Sequence, residues 1–152
     1  MPVKIIGFLI AMIASILFGF YFTGRMKQRI SELMNVLTAL NLIQTEITFK
    51  LTQKNEILKK ISEEINASIS NIFCERPIYE DLVLGESDRR ILNEFNQSFG
   101  HLDYHSQMNR VEWCIKNIEA NLLQAKEDYT KYARLAKGFS PLIVGALCLL
   151  LF

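Results

Sequence analysis

The chain has 152 residues, half of them hydrophobic, with 17 basic and 16 acidic side chains and a formal net charge of +1. That length suits one ordinary domain, and the near balance of interspersed charges excludes a basic nucleic-acid-binding surface. The cysteines, at 74, 114 and 148, lie far apart with no CxxC pair, which excludes a disulfide framework or a zinc ribbon.

The composition is sharply divided along the chain. From Ile5 to Phe22 the sequence IIGFLIAMIASILFGFYF carries no charge, and from Gly138 to Phe152 there is again none. Eighteen residues reach about 27 Å as a helix, close to the roughly 30 Å of a bilayer's hydrocarbon core. The first segment is therefore expected to span a membrane, and the second to form a shorter span of about 22 Å that borrows length from Leu135 and Ala136. Phe20, Tyr21 and Phe22 stand where a signal peptidase needs small residues, so they read as an interfacial aromatic belt instead of a cleavage site. Arg25, Lys27 and Arg29 follow the first span, and Lys126, Lys131, Arg134 and Lys137 precede the second. By the positive-inside rule the central segment is cytoplasmic and both chain ends face the opposite side.

Within the central segment, Ile30, Leu33, Leu37, Leu40, Gln44, Ile47 and Leu51 recur at steps of three and four, predicting a helix that continues from the first span. Thr52 is the expected N-cap of a restarted helix with Ile57, Leu58, Ile61 and Ile65 on its apolar face. Glu56 and Lys60 have the spacing of a surface ion pair. The pattern breaks between about Asn71 and Gly85, a connection with room for one short helix. Ser87 then reads as the N-cap of a three-turn helix, with Asp88 in its first turn, Ile91, Leu92, Phe95 and Phe99 facing inward, and Gly100 as its stop. Asp103 is the expected start of the last helix, whose seam runs through Met108, Val111, Ile115, Ile118, Leu122, Ala125, Tyr129, Tyr132 and Ala136. Trp113 lies off that seam and is expected to pack against the short helices.

These elements predict an all-α protein: a cytoplasmic antiparallel helical bundle between an N-terminal and a short C-terminal transmembrane helix, with boundaries at 1–24, 25–137 and 138–152. Strand periodicity, internal repeats and low-complexity linkers are missing from the sequence. So are a Gly-rich phosphate loop, a nucleophile elbow and an HExxH motif, and no enzyme activity or cofactor is expected. In HLDYH, His101 and His105 offer a metal two imidazoles with Asp103 between them, but no further ligand is fixed nearby, so loop histidines are the preferred reading. The acidic pairs Glu63 with Glu64 and Glu80 with Asp81 read as solvated faces rather than acid/base dyads.

Three stretches taken in order resemble the stage III sporulation protein AB family of endospore-forming bacteria. They are ALNLIQTEITFKLT, SDRRILNEFNQSFGHLDYHSQ and YARLAKGFSPLIVGALCLLLF. Glu46, Asp88, Gly100, Asp103, Gln107 and Gly138 fall on that family's pattern positions. The chain departs from the pattern in its compact middle around Pro77, and in Lys50 and Gln53, where Gly and Pro often flank the capping Thr. The resemblance implies a mother-cell membrane protein of the channel assembly that links mother cell to forespore, located in the outer forespore membrane. It also implies a cytoplasmic domain similar to that of type II secretion platform proteins, with the secretion-type ATPase stage III sporulation protein AA and other channel subunits as partners. Glu46, Asp88, Asp103 and Gln107 are the candidates for partner contact or capping, with capping preferred. Competing readings are a membrane-anchored metalloenzyme or metal sensor using His101 and His105, and a structural coiled-coil protein that self-associates through exposed seams.

Overall fold

A computed structural model describes the backbone of residues 2–50, 53–74, 76–100 and 103–151, and the side chains of 13, 17, 19–49, 53–74, 76–100 and 103–134. It contains helices α1 (Pro2–Lys50), α2 (Lys54–Glu64), α3 (Ala67–Ile72), α4 (Glu86–Ser98) and α5 (Tyr104–Leu151). No strand occurs among the described residues, as the helical periodicity predicts. Among them, too, no helix is long and apolar enough to cross a membrane. Most side chains of the first expected span, and all of those from Gly138 onward, lie outside the described residues.

The chain divides into two compact units. One is built from residues 28–125, the other from 1–27 together with 126–152. The larger unit has a single core, to which α1 gives Leu33, Val36, Ala39, Leu40, Ile43 and Ile47. This face is turned relative to the predicted seam: Val36 and Ile43 are buried, Ile30 and Leu37 only partly so, and Gln44 is half-buried. A two-helix seam needs a narrow stripe, whereas α1 also meets α2 and α4 and so buries a broader arc. Three threonines on its outer side, Thr38, Thr45 and Thr48, donate their hydroxyls to the carbonyls of Met34, Asn41 and Gln44 at 2.7–3.0 Å. Each polar side chain is thereby satisfied within its own helix.

From α5 the core takes Val111, Cys114, Ile118, Leu122 and Ala125, with Met108, Trp113 and Ile115 packed against it. Trp113 is thus half-buried beside the core, under the Arg110 guanidinium at 5.4 Å. Burial pushes the Cys114 thiol up to about 12, with the Glu94 charge adding to the effect. Tyr129 and Tyr132, predicted on the same seam, belong to the other unit.

The short helices close the core. α2 buries Ile57 and Ile61, with Leu58 and Ile65 partly covered, which is the predicted face. Its N-cap is Gln53, whose side chain makes no capping bond; the predicted cap Thr52 lies outside the described residues. α3 is capped by Asn66, which accepts from the Ser68 N–H at 2.9 Å, and it is tied to α2 by Ser70 Oγ donating to Leu58 O at 2.8 Å. The short helix therefore forms ahead of Pro77, not within the connection. Beyond it the chain folds inward, with Leu82 and Leu84 only 6% and 7% exposed, so the connection fills the core as well as crossing it.

Helix α4 begins two residues earlier than predicted, with Gly85 as N-cap and Ser87 inside the first turn. Its inner face is as expected: Ile91, Leu92, Phe95 and Phe99 are all buried. Phe95 meets Phe73 edge-on at 5.9 Å and stacks on Phe99 at 5.1 Å. The helix stops where Gly100 takes φ +88°, a left-handed conformation in which a side chain would be strained. Lys54 covers this end, donating to Phe99 O at 3.3 Å with its ammonium 5.0 Å above the Phe99 ring.

Two expectations follow from the core. Phe95→Ala is expected to cost about 3–5 kcal/mol in urea unfolding of the full chain, while Phe49→Ser, at an 80% exposed position, changes stability by no more than about 0.5 kcal/mol. Iodoacetamide at pH 8 should leave Cys114 unmodified in the native protein, because the thiolate fraction at a pKa of about 12 is on the order of one in ten thousand; peptide mapping before and after unfolding reads this directly.

Candidate functional site

Among the described residues of the larger unit, the buried polar or charged side chains are Glu46, Ser70 and Asp88. Asp88 is wholly enclosed, and its surroundings explain how a carboxylate can be. It sits at the third position of α4, where the positive end of the helix dipole favours an anion. Its Oδ2 accepts from the Gly85 N–H at 2.7 Å, which fixes the start of the helix. Residue 85 has no side chain to return the bond, and a Cβ there would lie 2.9 Å from Arg29 Nη2 and 3.0 Å from Asp88 Oδ2, so any side chain would have to displace the guanidinium.

The countercharge comes from α1. Arg29 donates from Nε to Asp88 Oδ2 at 3.0 Å and from Nη2 to Oδ1 at 3.3 Å, a two-pronged contact that matches the planar guanidinium. From α5, Asn121 donates Nδ2 to Asp88 Oδ1 at 2.6 Å and also reaches Ser87 Oγ at 3.3 Å. One carboxylate therefore joins α1, α4 and α5. The Arg29 side chain keeps 32% of its surface exposed, so the guanidinium stays partly hydrated while the carboxylate does not.

Glu46 is placed elsewhere on α1. It is 4% exposed and accepts from Lys60 Nζ of α2 at 2.8 Å. Lys60 therefore turns to a partner on another helix, not to Glu56 as its spacing predicts; the helix-surface pair on α2 is Lys59 with Glu63 at 3.9 Å. A third contact between elements, Arg110 with Glu94 at 3.1 Å, lies at the surface between α5 and α4.

Asp103 is fully exposed and caps α5. Its Oδ2 accepts from the Ser106 N–H at 3.2 Å, and its carbonyl accepts from the Gln107 N–H at 2.9 Å. Hydrogen bonding from Ser106, hydroxyl first and backbone second, holds the Asp103 carboxyl below its ordinary value of 3.8. Gln107 is half-buried in the first turn. The four nominated residues thus do not form one site: Asp88 and Glu46 are enclosed in separate polar contacts, and Asp103 and Gln107 open α5.

His105 is exposed with its ring 5.4 Å from that of Tyr104, and His101 lies outside the described residues. Among the described residues no group of three or more His, Cys, Asp or Glu is placed to hold a metal. Glu63, Glu64, Glu80 and Asp81 are all exposed. The exposed side of α4 carries Glu86, Arg89, Arg90 and Glu94 in mixed sign. Next to it, Tyr79 donates to Asn93 Oδ1 at 2.6 Å under the Arg89 guanidinium. Burial pushes the Tyr79 phenol up to about 12; Arg89 opposes the shift and Cys114 adds to it. These groups build an interior and a charged surface, without a nucleophile paired to a base.

Arg29, Gly85 and Asn121 at Asp88, and Lys60 at Glu46, are partners that the sequence does not single out as site residues. Arg29 resembles Arg25 and Lys27, the basic residues that follow the uncharged N-terminal stretch. Its one distinguishing signal is register: with Leu33, Val36, Leu40, Ile43 and Ile47 it continues the buried stripe by one more turn.

The clamp is expected to be asymmetric. Arg29→Ala leaves a buried carboxylate without its countercharge and should cost about 3 kcal/mol or more, whereas Asp88→Asn leaves a guanidinium that can rehydrate and should cost about half as much. Chemical denaturation of both variants checks the order. The contribution of Asp103, whose folded-state pKa is lowered, is present above its unfolded value of 3.8 and lost as pH falls through the lower folded value. The melting temperatures of wild type and Asp103→Ala should therefore differ at pH 6 and converge towards pH 3.

The family model described as stage III sporulation protein AB matches residues 4–77 and 76–152. The chain is 19% identical to the stage III sporulation protein AB of Bacillus subtilis (strain 168), over 97% of this chain and 98% of that protein. No solved structure matches. With the match extending over nearly every residue, the chain belongs to the stage III sporulation protein AB family.

Proposed function

We propose that the chain is a non-enzymatic membrane platform of the sporulation channel assembly between mother cell and forespore. In this reading residues 1–24 and 138–152 hold it in the mother-cell membrane facing the forespore, and residues 25–137 lie in the mother-cell cytoplasm. There the helical domain docks the secretion-type ATPase of the assembly, stage III sporulation protein AA, and hydrolysis belongs to that partner.

Family membership gives the sporulation role. The observation that carries the platform reading is the division of the chain: both terminal segments group together as one unit, while the core of 28–125 is complete in itself. Uncharged terminal stretches flanked by Lys and Arg on their inner sides support membrane attachment with the central domain in the cytoplasm. The buried acids of that domain are engaged internally, by Arg29, Gly85 and Asn121 at Asp88 and by Lys60 at Glu46. Docking is therefore assigned to exposed residues such as those on the outer face of α4.

The full-length protein in detergent is expected to co-elute with the cognate ATPase and to alter its rate of hydrolysis, and Arg89→Glu with Arg90→Glu on α4 should weaken the complex without unfolding the chain. If a well-folded full-length protein neither co-elutes with the ATPase nor changes its rate, the docking role is wrong.

A further inference from the structure

We propose that the aromatic and cationic side chains of the smaller unit form one band that binds the headgroups of anionic phospholipids. The proposal rests on the membrane reading above and names the ligand class of the attached surface.

Large apolar side chains are exposed along α1 at Ile13, Leu17, Phe20 and Tyr21, the last three at 63%, 76% and 63%. Within two turns the exposed side chains become Arg25 and Lys27. A helix that changes from exposed hydrocarbon to exposed cations over this distance matches the step from acyl chains to phosphates at a bilayer surface.

The fold adds what neither helix has alone, because it brings the corresponding levels of α1 and α5 side by side. Phe22 meets Tyr132 edge-on at 5.4 Å, and one turn further Lys27 Nζ stands 5.9 Å from the centre of the Tyr129 ring. Arg25 donates from Nη1 to the Tyr21 hydroxyl at 3.2 Å, so a cation is held against the aromatic belt. Along α5 the exposed cations at this level are Lys126, Lys131 and Arg134, and the acids between them are Glu127 and Asp128. Across 19–27 and 126–134 that is five cations against two acids, a local excess of positive charge on a chain of net charge +1. A dissolved anion would be served by the cations alone. Exposed Leu17 and Phe20 beside them favour a ligand with a phosphate at one end and hydrocarbon at the other.

The test uses the full-length protein in detergent, titrated at low salt with short-chain phosphatidylglycerol or phosphatidylcholine, with bound lipid counted by native mass spectrometry. Phosphatidylglycerol is expected to bind at least about tenfold more tightly, and Lys27→Gln and Lys131→Gln should each reduce the preference by about fivefold with helicity unchanged. In wild type, 0.5 M NaCl should shrink the same preference. Equal binding of the two lipids, a preference untouched by the substitutions, or displacement of the lipid by inorganic phosphate at equal concentration would overturn the proposal. Vesicle flotation separates this from failure of the membrane reading. Association with neutral and anionic vesicles alike, without lipid preference, sinks only the headgroup proposal; a detergent-free chain that floats with neither sinks both.

Discussion

A carboxylate withdrawn from water has to be surrounded by donors, and around Asp88 one is local while two come from distant parts of the chain. Arg29 approaches from α1, Gly85 from the connection before α4, and Asn121 from α5. Removing any one leaves oxygen lone pairs facing a low-dielectric interior, so the three segments are held to a common geometry. The constraint reaches further than the contact, because α4 carries Ile91, Leu92 and Phe95 into the core. An interior of aliphatic side chains would tolerate sliding of one helix past another. A charged pair with directional bonds resists such sliding at the point where it forms.

The lysines of α2 work in a related way at lower stakes. Lys60 neutralises Glu46 on α1, and Lys54 closes the end of α4 through Phe99 O and the Phe99 ring. Both long side chains lay their hydrocarbon over apolar surface and bring the charge to its partner, so an exposed-looking helix becomes a tie between its neighbours. Family membership carries the sporulation role, and the enclosed acids direct any docking towards the remaining exposed surface.

The amino-acid sequence by itself determined the helical class, the approximate helices and most of their inner faces, because these depend on local periodicity and on residues such as Gly100 that act within a turn. Family membership was also legible, from the order and spacing of short stretches spread over the chain. Asp103 was readable as the start of α5, since a cap bonds only to its own helix. Where the reading slipped, a distant partner decided. Lys60 looks paired with Glu56 until Glu46 arrives from another helix; the exception is Ser87, displaced as N-cap by a local contact in which Asp88 takes the Gly85 N–H. The α1 seam looks like a two-helix stripe until the short helices widen it. Only the tertiary structure could decide that Arg29 leaves the company of Arg25 and Lys27 to clamp Asp88, or that Phe22 and Lys27 stand level with Tyr132 and Tyr129. Local sequence fixes where a side chain projects from its own helix, but its partner depends on how helices far apart in the chain are aligned.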